Sequence, residues 1–181
     1  MAPRCRPGWV ITGSVLYSRE RADWPGVGVF LSSHEKQLDV KRRLLVPSDY
    51  RGSALQSHDG VEPFEGVYCF AAINAPCLEC GGAAFFATYR DVIDEYPKLS
   101  PTRTALQRRF YASMNRLAFD TAGRITLPEK LCAQFNLTGD VVLAGLGESF
   151  QIWEPRAYDA WAAEQDKLVE DAFAKREALY Q

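Results

Sequence analysis

Apolar and polar positions along the 181-residue chain change rhythm in an ordered way from Phe30 onward. Two short helical patterns each follow a proline, Ser48 to Leu55 after Pro47 and Glu129 to Leu137 after Pro128. Proline suits the first turn of a helix, where its missing N–H has no partner to lose. An apolar strand follows each, Val67 to Ile73 and Val141 to Leu146, then a second extended piece, Pro76 to Cys80 and Ser149 to Trp153. Between the two sets, Ala83 to Tyr96 has Phe86, Tyr89, Val92, Ile93 and Tyr96 at helical spacing. Ser100 and Pro101 read as the N-cap and first residue of a helix through Ala112. A longer helix opens at Pro155, with Tyr158, Trp161, Leu168, Ala172 and Leu179 on one stripe.

The order strand, turn, strand, short helix, strand, strand therefore occurs twice, and the sequence repeats with it. Leu38-Asp39-Val40-Lys41-Arg42-Arg43-Leu44-Leu45-Val46-Pro47 aligns with Phe119-Asp120-Thr121-Ala122-Gly123-Arg124-Ile125-Thr126-Leu127-Pro128 at a constant offset of 81. Asp, Arg and Pro recur in place, and so do the apolar positions. Asp39 and Asp120 each predict a tight turn, because an aspartate accepts hydrogen bonds from backbone N–H groups two residues on. Gly123 supplies a position that tolerates positive φ. Arg42 stands there in the first copy, which predicts either a slightly strained turn or a different geometry.

Composition narrows the function. Lys and Arg number 21 and Asp and Glu 23, a net charge of −2, which excludes a generic basic nucleic-acid coat. The charge is segregated, however. Residues 36–51 hold five bases and two acids, and residues 101–116 hold Arg103, Arg108, Arg109 and Arg116 with no acid. Residues 154–177 hold seven acids and four bases. The second basic stretch reads as a solvated or inter-subunit face. No apolar run is long enough to span a membrane.

Five cysteines at irregular spacing suggest reduced thiols rather than a disulfide framework. Cys77 and Cys80 form a C-x-x-C pair, but a structural zinc wants a second pair. Neither His34 nor His58 has ligand spacing to it, and Gly81-Gly82 beyond it reads as a loop. No Walker, dinucleotide-binding or nucleophile-elbow motif is present. The expectation is a protein that is not an enzyme, with no metal and no cofactor.

The two ten-residue segments resemble the paired signatures of the MraZ family of bacterial transcriptional regulators, D-x-K-G-R-x-x-V-P and D-x-x-G-R-x-x-x-P. Leu106-Gln107-Arg108-Arg109-Phe110 and Phe150-Gln151-Ile152-Trp153-Glu154 are also similar to segments of that family. The resemblance covers Phe30 to Trp161. It implies an α+β fold with a β-dominated core. That core would be an AbrB-like swapped-hairpin (double-split) β-barrel made from two internal repeats, with helices between the repeats and at the C-terminus. The implied units are a repeat over 30–82, connecting helices over 83–112, a second repeat over 113–156 and a C-terminal helix over 157–181. Residues 1–29 lie outside the resemblance and read either as a mis-assigned start or as a loosely ordered arm.

By position, the resemblance implies DNA contact through Lys41, Arg42, Arg43 and Arg124. It further implies a cytoplasmic, nucleoid-associated ring of identical subunits on promoter direct repeats of the division and cell-wall gene cluster, acting as a repressor. No membrane or small-molecule substrate is implied. From the residues alone, Arg43 and Arg124 have a second reading, as strand-end partners of Asp39 and Asp120. Two other classes stay open for the whole chain. One is an AbrB-like, antitoxin-like protein-interaction module, and the other is a thiol-dependent metal or redox protein built on Cys77 and Cys80.

Overall fold

The computed structural model describes residues 29–57 and 60–178. The start-site or arm reading of residues 1–29 falls almost wholly outside them, as do His58 and Leu179. The first half contributes β1 (Ser33–Gln37), β2 (Arg43–Leu45), α1 (Ser48–Ala54), β3 (Gly66–Ala71) and β4 (Leu78–Gly81). Helices α2 (Ala83–Asp94) and α3 (Pro101–Phe110) follow. The second half contributes β5 (Asn115–Ala118), β6 (Arg124–Thr126), α4 (Glu129–Gln134), β7 (Asp140–Gly145) and β8 (Phe150–Trp153), and α5 (Pro155–Ala178) ends the described chain.

Six strands form one sheet in the order β1-β7-β8-β4-β3-β5, all antiparallel, and β2 pairs with β6 in a separate ribbon. The first strand of each half thus pairs with the other half, β1 on β7 and β5 on β3. That exchange is the swapped hairpin.

The registers carry a pseudo-two-fold. The pair Lys36↔Val141 in β1–β7 has its counterpart in Leu117↔Val67 of β5–β3. Cys69↔Cys80 answers to Leu143↔Ile152. Two pairs map onto themselves, Leu44↔Ile125 in the ribbon and Glu79↔Gln151 at the centre of the sheet. The axis passes through both.

The core lies between ribbon and sheet. Leu44, Val46, Ile125 and Leu127 from the ribbon side meet Val67, Cys69, Leu78, Cys80, Val141, Leu143, Phe150 and Ile152, all buried. Tyr50 of α1 packs edge-on to Phe30 and donates its hydroxyl to the Ser32 carbonyl at 2.7 Å. No hydrogen-bonded ladder joins β1 to β5 among the described residues, so the strands do not close a full barrel. The ribbon lies beside that gap, linked by the Leu38↔Leu44 bridge.

Strands β3 and β7 are buried on both faces, which is why they read as unbroken apolar runs. The outer face of β3 carries Tyr68 and Phe70 against Phe85, Ile93 and Phe110 of α2 and α3. The outer faces of β7 and β8 carry Val142, Ala144 and Trp153 against Tyr158 and Trp161 of α5. Each half therefore sends a helix back over its own strands. Leu168, Val169 and Phe173, on the distal part of α5, are exposed. No helix among the described residues is long and apolar enough to cross a membrane.

The expected loop at Gly81-Gly82 is absent. Strand β4 runs through Gly81, and Gly82 is already the N-cap of α2. The glycines mark close packing between elements, as a Cβ on Gly82 would stand 2.5 Å from the carbonyl oxygen of the α1 residue Ala54.

Candidate functional site

The ribbon β2–β6 has one face in the core and one in solvent. Alternation sends Leu44 and Ile125 inward and leaves Arg43, Leu45, Arg124 and Thr126 outward. The strands are antiparallel, so the turn before β2 and the turn before β6 sit at opposite ends of the ribbon. Their arginines pair diagonally, Leu45 opposite Arg124 and Arg43 opposite Thr126. Strand geometry sets their Cα atoms roughly 8 Å apart.

Both turns are built in the same way. In the first, Asp39 Oδ1 accepts from the Lys41 N–H at 2.8 Å and the Arg43 N–H at 2.9 Å, and Oδ2 accepts from Arg43 Nε at 2.6 Å. Arg43 Nη2 lies 2.6 Å from the same oxygen. In the second, Asp120 Oδ1 accepts from the Ala122 and Arg124 N–H groups, both at 2.9 Å, and Oδ2 from Arg124 Nε at 2.8 Å. The Arg42 N–H donates to the Asp39 carbonyl, and the Gly123 N–H to the Asp120 carbonyl, each at 2.8 Å.

The backbone donors, with the Arg43 N–H first, hold the Asp39 carboxyl below the usual aspartate value, against an opposing push from desolvation. The Arg124 N–H leads in the same way at Asp120. The aspartates thus fix each guanidinium at the mouth of its turn, and they leave further guanidinium N–H groups without a partner among the described residues.

Arg42 and Gly123 settle the question of the first turn's geometry. Arg42 has φ +60° and Gly123 φ +77°, so the two turns share one conformation and the arginine carries the strain. The Arg42 carbonyl accepts from the Leu127 N–H at 2.9 Å, and the Gly123 carbonyl from the Val46 N–H at 3.2 Å. Each turn is thereby tied to the opposite half. Arg42 Nε donates to the Leu127 carbonyl at 3.4 Å, and its Nη2 lies 3.8 Å from Glu129. Lys41 and Val40, at the tip, are exposed. Arg51, which the repeat pattern does not single out, lays its guanidinium against Gly123. No local signal marks that contact, because it joins residues 72 apart.

The second basic stretch is largely solvated, with Arg108, Arg109 and Arg116 exposed, but three of its four arginines also have partners within the chain. Arg103 donates to the Ile93 carbonyl at 3.0 Å and the Tyr96 carbonyl at 2.9 Å, and pairs with Asp94, closing the C-terminal end of α2. Arg109 donates to the Ala71 carbonyl at 3.2 Å, and Arg116 lies 4.2 Å over the Phe64 ring. Arg108 alone among these four is exposed without a described contact.

Cys77 and Cys80 are fully buried on opposite faces of the sheet, Cys80 opposite Cys69 in the β3–β4 register. Burial pushes both thiols well up, away from the thiolate that metal binding or exchange requires. On the sheet's outer face, Glu79 accepts from Ser149 Oγ at 3.1 Å and the Tyr89 hydroxyl at 3.3 Å. Desolvation raises its carboxyl above the usual value, against the lowering by those two donors.

The sequence of this chain is similar to those of one family. The family profile described as "MraZ protein, putative antitoxin-like" matches residues 110–179. The chain is 48% identical over 146 residues to the transcriptional regulator MraZ of Caulobacter vibrioides, which covers 81% of this chain and 90% of the relative. It is 47% identical over 150 residues to that of Phenylobacterium zucineum, covering 83% and 90%. With the Xanthobacter autotrophicus protein of the same name it shares 32% over 142 residues, 78% and 87% of the two chains. With 47–48% identity to two such regulators over about four-fifths of its length, the chain belongs to the MraZ family of transcriptional regulators.

Proposed function

We propose that the chain regulates transcription by gripping duplex DNA with the outward face of the β2–β6 ribbon and its two flanking turns. Lys41, Arg42, Arg43 and Arg124 are the contacting side chains, and Asp39, Asp120 and Gly123 hold their turns in shape. The observation that carries this reading is the duplication. The same aspartate-braced arginine stands at both ends of one ribbon, related by the pseudo-two-fold. A braced guanidinium loses little freedom on binding, and its free N–H groups suit a guanine edge or a phosphate.

Few contacts per subunit give modest affinity. A ring of copies on spaced direct repeats gains by effective concentration. The exposed Leu168, Val169 and Phe173 of α5 are the surface that a neighbouring copy would cover. The target is the promoter of a division and cell-wall gene cluster, with repression as the output, in the cytoplasm at the nucleoid.

The test is a gel-shift titration at fixed salt on the DNA upstream of the chain's own gene. Arg43→Ala is expected to abolish binding while circular dichroism and size-exclusion elution stay as in the parent. Unchanged affinity assigns Arg43 to holding the turn and overturns its contact role.

A further inference from the structure

The two turns differ in the bases they carry in sequence. The first has Lys41, Arg42 and Arg43, whereas the second has Ala122, Gly123 and Arg124. The fold makes up part of that difference from elsewhere. Arg51, on α1 of the first half, reaches across to the second turn. Its Nη1 lies 1.9 Å, and its Cζ 2.5 Å, from where a Cβ on Gly123 would stand. Gly123 is buried beneath it, and only a residue without a side chain leaves room for the guanidinium.

Under the pseudo-two-fold, Arg51 answers to Cys132 and Gly123 to Arg42. At the first turn, the arginine comes from the turn and the small residue, Cys132, from the helix. At the second, the small residue is in the turn and the arginine in the helix. Each turn therefore has one arginine at its left-handed position, Arg42 standing in it and Arg51 laid against it from the helix.

The two arginines differ in what neutralises them. Arg42 has Glu129 within 3.8 Å and the Leu127 carbonyl at 3.4 Å. The position equivalent to Glu129 beside Arg51 is Ser48, which carries no charge. Arg51 Nε is buried with no hydrogen-bond partner, and no carboxylate among the described residues forms an ion pair with Arg51. A cation held in place and left without a counter-ion is a site for an anion from outside the chain.

We infer that Arg51 is a further DNA-binding residue, a phosphate contact that serves the second turn in place of the bases missing at 122 and 123. This rests on the ribbon being the DNA-binding face. It adds a residue on α1 to that face and gives Gly123 a second purpose beyond its φ.

The test is fluorescence anisotropy with a labelled duplex from upstream of the chain's own gene, titrated at several KCl concentrations. Arg51→Met keeps an apolar stem over Gly123 and removes the charge. It is expected to weaken binding roughly three- to tenfold and to flatten the slope of log affinity against log salt by about one per subunit contact. Arg51→Lys, which restores a point charge, is expected to recover the slope. Thermal midpoints of both variants within about 2 °C of the parent establish that the fold is unchanged. If the parent and Arg51→Met share one affinity and one slope while Arg43→Ala fails to bind, the role of Arg51 is overturned and the ribbon reading stands. If the parent binds no duplex at any salt, the ribbon reading fails and takes this inference with it.

Discussion

Arg42 and Gly123 hold the same left-handed position in the two halves of the fold, at φ +60° and +77°. One half meets the requirement with glycine. The other meets it with an arginine, whose Cβ crowds the backbone at a cost of about 1–2 kcal/mol. Arg42→Gly relieves that strain and forgoes an exposed ion pair with Glu129, which contributes little. Glycine's greater freedom in the unfolded chain offsets part of the gain. The variant is expected to be up to about 1 kcal/mol more stable, a rise in Tm of roughly 2–4 °C, and to bind DNA more weakly. A fall in Tm would mean that the contacts to Leu127 and Glu129 outweigh the strain.

Asp39 and Asp120 give the fold an acid limb. Both carboxyls are held below the ordinary 3.8. A lowered folded-state value means that the stability is fully present above the unfolded value and is lost as pH falls through the folded one. The window lies below about pH 4. Asp39→Asn/Asp120→Asn is expected to have a lower Tm than the parent at pH 7, with the difference shrinking as the pH is taken below that window. Thermal midpoints that stay parallel from pH 7 to pH 3 would contradict this.

Glu79 titrates in the opposite sense. Its carboxyl is raised above the ordinary 4.5 by burial. Below that value it is neutral in both states. As pH rises, the unfolded chain ionises first and the native state loses ground. The dyad-related residue in the second half is Gln151, which has no such liability. Glu79→Gln keeps an acceptor and gains a donor for Ser149 and Tyr89. Its Tm is expected to exceed the parent's at pH 7 and to match it near pH 4. Equal midpoints at pH 7 would show that the two hydroxyl donors compensate the buried charge in full.

Local chemistry made much of this fold legible. An Asp followed by a turn, Arg, an apolar alternation and Pro announces two strands and a helix start, and it did so twice. Ser100 accepts from the Arg103 N–H at 3.1 Å as an N-cap should. Strand exchange was a matter of resemblance only, because β1–β7 and β5–β3 pairings join distant segments and no local rhythm encodes a partner. The contacts that the arginines of residues 101–116 make within the chain were illegible for a related reason. Apart from Asp94, which pairs with Arg103, their partners are carbonyls and a ring at Ile93, Tyr96, Ala71 and Phe64, which carry no charge for a sequence pattern to match. Arg51 escaped notice likewise, since its neighbour is a glycine in the other half.

Whether the ribbon and its twin turns read DNA is decided by footprinting the purified full chain on the DNA immediately upstream of its own gene. Short, regularly spaced repeats are expected to be protected, and the protection is expected to be lost with Arg43→Ala. No protection at protein concentrations well above those of the gel shift, or protection that Arg43→Ala and Arg124→Ala leave intact, would contradict a DNA-reading ribbon.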